Sequence, residues 1–358
     1  MDKLCIKQQL DRYLQFAKSH SPYLLIVIVA NVEGETTDYD DYENTSVLSE
    51  YYTLTEYEAI SVSLKKLGYE VVSYFNESDF MDAILHNRLQ RKNKNILVIN
   101  SAQKGTYIGR KSLVPAFCEH FKIMHTGSNP YVVSLCRDKF HTSAILNNYI
   151  KNQLPTYAYS YIYNWIGNAR PQVGERVIAK LNSESASIGL SKNNIFTFTA
   201  QSVDQLNKLS KQYDQTLILQ PFISGYEIEL PIIIGKEILP LITTGIKINN
   251  ELELGDNILD YKTHCHHLYD FYNFDDYNHK LASKAKEVAS KCVNLLGIEG
   301  FGRVDFRIDN NGNCYVSDIA TNPHVTEDSS YYFVFNELGY SYSEFLAILV
   351  GLTLEKYS

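Results

Sequence analysis

Apolar positions in this chain keep two rhythms, and the switches between them divide it. Leu24-Leu25-Ile26-Val27-Ile28-Val29-Ala30 is an unbroken apolar run, the pattern of a strand buried on both faces in a parallel sheet. Residues 54–67 carry apolar side chains at helical spacing and stop at Gly68. A strand over 69–74, a helix over 79–89 and a strand over 95–99 follow, then a helix over 113–121 and a short strand at 122–124. This alternation predicts a small, Rossmann-like doubly wound α/β unit over 1–125.

The rhythm then loosens. Residues 138–149 read as a helix, 175–181 as a strand, 203–212 as a helix and 216–220 as a strand, with a loop of small residues at 183–191. This middle unit is taken as 126–218. From 219 to 358 strands dominate, at 227–234, 237–242 and a hairpin within 303–319. Helices are expected at 277–296 and 343–353. The whole predicts α/β followed by α+β, with no internal repeat.

The hairpin carries the densest chemistry. Side chains alternate along a strand, so Arg303 and Asp305 share a face. Asp309-Asn310-Asn311-Gly312-Asn313 is turn chemistry, and the returning strand can bring Asp318 opposite Asp305. Two carboxylates suit Mg²⁺ on a nucleotide's phosphates, while an arginine steadies a transferring group; the plain alternative is a charged surface hairpin. Upstream, Lys139 opens a helix and Lys180 ends a strand, both fit to meet phosphate oxygens from one cleft. The loop Asn182-Ser183-Glu184-Ser185-Ala186-Ser187-Ile188-Gly189 is small enough for backbone N–H groups to approach a phosphate, though it has neither the Walker nor the Rossmann glycine pattern. In Gln220-Pro221-Phe222-Ile223-Ser224-Gly225-Tyr226-Glu227, an apolar linker could flank an adenine and Glu227 could accept from ribose hydroxyls.

Composition narrows the class. The net charge of −8 argues against a nucleic-acid partner, and 45% hydrophobic content is that of a globular protein. Acidity concentrates in residues 33–43, read as a solvated loop. Six scattered cysteines without a C-x-x-C pair suit reduced thiols in a cytoplasmic protein. Residues 1–20 are polar and mixed in charge, so no secretory signal is read there. The apolar run 23–30 is too short to span a membrane. The 28 tyrosines suggest nothing beyond amphipathic packing.

Taken in order, these parts resemble the ATP-grasp ligases, and among them the D-alanine–D-alanine ligase branch. The segments are His125-Thr126-Gly127-Ser128 with Asp138-Lys139, Lys180 through Gly189, Gln220 through Glu227, Asp260-Tyr261, Gly300-Phe301-Gly302-Arg303-Val304-Asp305, and Asn322-Pro323 with Ser329. The resemblance implies an ATP-grasp fold preceded by the α/β unit, with a homodimer formed through that unit. It implies ATP held by Lys139, Lys180, Gln220, Phe222, Ile223 and Glu227. Mg²⁺, or Mn²⁺ in its place, would sit on Asp305 and Asp318. Arg303 would stabilise an acyl-phosphate and the tetrahedral intermediate, with Ser187, His264 and His324 as further catalytic groups. Tyr261, His324 and Ser329 would face an amino-acid or peptide substrate.

Departures from that pattern matter as much. Ala320 stands where the relatives have a metal-binding Asn, with Asn322 as the nearest substitute, and Asp318 is a methylene shorter than the usual Glu. His264 replaces a phosphate-contacting lysine, turning a fixed charge into a titrating one. His324 replaces a glycine. The G-G-x-S-x-E start is missing; Glu50, Glu56 and Glu58 are the nearest acidic residues, which argues against a standard D-alanine substrate. Two readings follow, an ATP-dependent carboxylate–amine ligase and a catalytically impaired ATP-binding protein or regulator. His264-Cys265-His266-His267 also invites a zinc reading, with alternation placing His264 and His266 on one face, against histidines bordering a phosphate cleft.

Overall fold

A computed structural model describes residues 3–89, 94–151 and 153–358, whose strands form three sheets. The first is parallel throughout, in the order β2-β1-β3-β4, with β1 Leu24–Ala30, β2 Glu70–Tyr74, β3 Asn95–Ser101 and β4 Met124–His125. All seven residues of β1 are buried. Leu24, Ile26, Ile28 and Ala30 point into one core, Leu25, Val27 and Val29 into another. Helices on both faces explain the unbroken apolar run.

Residues 3–20 form an element the pattern did not announce. Helix Lys3–His20 buries Ile6, Leu10, Tyr13, Leu14 and Ala17 in a narrow stripe within a polar sequence. It packs on the last helix, Tyr342–Lys356, where Gly351 is required: a Cβ there would lie 2.0 Å from the Tyr13 carbonyl oxygen. Arg12 Nη2 pairs with Glu355 at 2.6 Å.

The second sheet is antiparallel, ordered β6-β5-β9-β7-β8 (β5 Tyr157–Ser160, β6 Asn164–Ile166, β7 Arg176–Leu181, β8 Ile195–Thr197, β9 Leu217–Pro221). Helix Ser202–Tyr213 covers it through Leu206 and Tyr213. The three short strands β5, β6 and β8 were not legible as strands, because three or four residues cannot establish a period.

The third sheet is antiparallel, ordered β13-β12-β10-β14-β15, with β11 paired to β10. Its strands are β10 Tyr226–Ile234, β11 Ile238–Pro240, β12 Thr244–Lys247, β13 Asp270–Asn273, β14 Gly300–Ile308 and β15 Cys314–Ala320. Helix His279–Leu296 seals one face with Ala282, Ala285, Ala289, Cys292, Val293 and Leu296. On the other, Tyr331 of helix Ser330–Glu337 donates its buried hydroxyl to the carbonyls of Ile232 (2.7 Å) and Gly302 (2.6 Å). Several tyrosines thus act as polar ties as well as packing. No helix among the described residues is long and apolar enough to cross a membrane.

Candidate active site

The register of the third sheet sets the site. Glu229 of β10 pairs with Asp305 of β14, which pairs with Asp318 of β15, putting three carboxylates on one rung. The ladder slips after Asp305, so Phe306 pairs with Val316 and Ser317 is an extra residue. A bulge of this kind re-aims neighbouring groups; the Ser317 carbonyl lies 3.5 Å from Lys180 Nζ. Arg303 grips Asp305 with two bonds, Nε to Oδ1 at 2.7 Å and Nη2 to Oδ2 at 2.8 Å, and its Nη1 lies 2.9 Å from Glu229. Ala320 faces Arg303 across the ladder.

These residues line a cavity of about 650 Å³ to which the second and third sheets contribute strands and the N-terminal region contributes Glu33, Glu50 and Lys111. Lys139, first residue of helix Lys139–Tyr149, donates to the Glu184 carbonyl at 2.6 Å and lies 3.3 Å from Asp318 Oδ1. Burial raises the Asp318 carboxyl, but Lys139 and Lys180 outweigh it and hold the group below its usual range. Burial also pushes the Asp305 carboxyl up; Arg303 opposes the rise, and the Glu229 and Asp318 charges add to it. Crowded carboxylates are what a hard cation relieves, and Mg²⁺ commonly takes one or two carboxylates plus phosphate oxygens. Asp305 and Asp318 fit that role, with Asn322 also on the cavity wall.

The small-residue loop lines the same cavity through residues 184–188. Ala186 and Ser187 have φ of 50° and 55°, a left-handed turn uncommon for residues with a Cβ. Ser187 Oγ donates to the Leu259 carbonyl at 2.6 Å, and Ile188 N and Leu190 N close short turns. The amides of Ser185, Ala186 and Ser187 have no protein acceptor among the described residues, as a phosphate-binding loop requires.

The 220–227 linker is more divided. Gly225 (φ +141°) is fixed by sterics, since a Cβ would lie 2.0 Å from the Ile308 carbonyl oxygen. Glu227 lines the cavity and takes Arg307 Nη1 at 2.9 Å. Gln220 lines a narrower neighbouring pocket that shares Lys139 and Asp318 with the main cavity. Phe222 and Ile223 line neither: the Phe222 ring lies 4.8 Å from the Arg176 guanidinium and 5.5 Å from that of Arg307, and the Ile223 carbonyl accepts from Arg307.

Tyr261, His264, His324 and Ser329 also line the cavity. Residues Tyr261–Cys265 form a short helix, so the strand-like alternation expected of His264 and His266 does not hold. Among the described residues no three His, Cys, Asp or Glu side chains form a metal cluster. Burial, aided by His324 and His267, pulls His264 down to about 4, and its buried Nδ1 has no hydrogen-bond partner among the described residues. Burial lowers His324 too, beside the Tyr52 ring at 5.6 Å. Ser329 caps the helix it precedes and donates to the Thr326 carbonyl.

Sequence reasoning missed a buried ion network beside the loop. Arg110 Nη2 meets Glu184 at 2.6 Å and Glu50 at 3.0 Å; Arg137 meets the same two at 3.2 and 3.3 Å. Burial alone would raise Glu50, but Arg137, Lys111 and Arg110 hold it well below its usual range. The acidic segment 33–43 is also anchored. Tyr42 Oη donates to Glu184 Oε1 at 2.8 Å, Asp41 accepts from Ser46 and Val47, and Ser46 N donates to Tyr261 Oη.

Fold and site together define an ATP-grasp ligase, the class of ATP-dependent enzymes that form C–N bonds. Residues 162–351, more than half the chain, match the family model described as D-ala D-ala ligase C-terminus, and the chain belongs to that family. The D-alanine–D-alanine ligase of Desulforamulus reducens is 26% identical over 313 residues, covering 84% of this chain and 93% of the relative. D-alanine–D-alanine ligase B of Clostridium tetani is 23% identical across 98% of this chain and 99% of its own. The Bacillus anthracis D-alanine–D-alanine ligase complexed with ATP superposes with a TM-score of 0.69 at 17% identity, over 93% of this chain and 99% of that one. The VanG D-Ala:D-Ser ligase from Enterococcus faecalis gives 0.63 at 17%, over 92% and 99%.

Proposed function

We propose that this chain is an ATP-dependent carboxylate–amine ligase acting on a small acid and an amine, and that its acid is not D-alanine. One observation carries the reading. Lys139, Lys180, the open amides of the small-residue loop, Arg303, Asp305 and Asp318 converge on one cavity from separate parts of the chain. A substrate carboxylate oxygen attacks the γ-phosphorus of ATP and ADP leaves. The amine nitrogen then attacks the acyl carbon, phosphate departs and the nitrogen gives up its proton. Mg²⁺ held by Asp305 and Asp318 would offset phosphate charge. Lys139 and Lys180 hold phosphate oxygens, and Arg303 offsets charge on the acyl-phosphate and the oxyanion. His264, neutral in its buried position, supplies a hydrogen bond and no fixed charge.

Glu50 bears on the substrate. Its carboxylate is occupied by Arg110, Arg137 and Lys111, so it has no free charge for an ammonium group. Ala320 favours the second reading, a nucleotide-binding protein without turnover. The test is phosphate release with ATP, Mg²⁺ and a panel of acids and amines. The ligase reading predicts release that needs both an acid and ATP; ATP binding with no acid-dependent release, unrestored by Ala320→Asn, overturns it.

A further inference from the structure

The buried ion network does not balance. Arg110, Arg137 and Lys111 bring three positive charges, and Glu50 and Glu184 bring two negative ones. Arg110, Glu50, Glu184 and Arg137 have side chains at most 5% exposed, so solvent does not compensate the difference. Lys111 is the cation that reaches the cavity wall, with its side chain 14% exposed. Its Nζ lies 3.1 Å from Glu50 Oε1, an oxygen Arg137 also contacts at 3.3 Å, and it donates to Ser185 Oγ at 3.2 Å. Burial and the Arg137 charge bring the Lys111 ammonium down to about 7, against the pull of Glu50, so its positive charge is held fully only when an anion faces it from the cavity. A surplus buried cation on a cavity wall is stabilised by an anion arriving from the cavity.

Position says which anion. Ser185 belongs to the loop with open amides, so Lys111 stands beside the place where an acid must lie to attack the γ-phosphorus. His324 also lines the cavity, and burial and the Lys111 charge both lower its pKa. An α-ammonium group on the acid would meet Lys111 as a like charge, and Glu50 is already committed. We infer that Lys111 is a specificity-determining residue that holds the acyl donor, and that the donor is an acid without an α-ammonium group, a hydroxy acid or a dicarboxylic acid. This rests on the ligase reading above.

Matched pairs test it: alanine against lactate and aspartate against malate, both enantiomers of each, with ATP, Mg²⁺ and hydroxylamine as acceptor. ADP formation is expected to favour the hydroxy acid in kcat/KM by about tenfold or more, the scale of a desolvated like-charge clash. Lys111→Met should erase the preference by raising KM for the acid, with KM for ATP unchanged, while Lys111→Arg should keep it. A preference for the amino acids, or a preference that survives Lys111→Met, overturns the inference and leaves the ligase reading standing. A Lys111→Met effect on KM for ATP alone also overturns it, because the anion would then be the nucleotide's. If Lys111→Met does not fold, the wild-type ranking with Lys111→Arg still decides. No acid-dependent ADP with any acid defeats both readings.

Discussion

Asp305 stands directly opposite Asp318 across the β14–β15 ladder, and Arg303, two residues before Asp305, holds it with two hydrogen bonds. Geometry of this kind makes the pair act as a unit. Replacing either carboxylate with its amide, Asp305→Asn or Asp318→Asn, should lower acid-dependent ADP formation by about 10²–10³-fold, the usual cost of one preorganised electrostatic contact. The folded state should persist. Steady-state rates beside circular dichroism check this, and a loss under tenfold in both variants would contradict it.

Ala320 shares that ladder and pairs with Arg303. A methyl group donates nothing to a cation, whereas an asparagine oxygen is a hard ligand. Ala320→Asn is therefore expected to lower the Mg²⁺ concentration giving half-maximal ADP formation. A Mg²⁺ titration of both proteins measures it, and identical curves would mean that position 320 faces no metal.

Arg110 is 0% exposed and bonds both Glu50 and Glu184. Arg110→Met removes from two buried carboxylates the cation that lies nearest to each, at 2.6 Å from Glu184 and 3.0 Å from Glu50, a change that costs about 3–5 kcal/mol. Urea unfolding should show a lower midpoint with an unchanged slope. A midpoint within error of wild type would show that Arg137 and Lys111 suffice.

His264 gives a pH signature. Its folded-state pKa is about 4 against the ordinary 6.5, so the unfolded chain binds the extra proton between those values. Stability from this residue is lost as pH falls from 6.5 towards 4. The wild type minus His264→Gln stability difference should therefore grow as pH rises from 4 to 6.5 and then level off. Denaturant midpoints at several pH values read it out; a flat difference would place His264 in contact with water.

Long periodic elements and the ordered motifs were legible in the sequence because their signals are local. The β1 run, the 54–67 periodicity and the turn that sets Asp318 against Asp305 each need only neighbouring residues. Glu229 was invisible as a site residue, since its place on the carboxylate rung depends on a strand pairing across 76 positions of chain. Glu50, Arg110, Lys111 and Arg137 come from separate loops and helices and meet only after folding. The burial of His264 was not legible for the same reason: it is a tertiary property, and the sequence shows only that an imidazole is present. Phe222 and Ile223 were placed by motif order, whereas their environment is set by Arg176 and Arg307, residues with no motif of their own.

The central claim is that the acid is activated as an acyl-phosphate in this cavity. Trapping with hydroxylamine tests it most directly: with ATP, Mg²⁺ and a turned-over acid, acyl hydroxamate should form one-to-one with ADP, and Arg303→Met should suppress both. ADP formed without hydroxamate, or hydroxamate unaffected by Arg303→Met, would contradict the account.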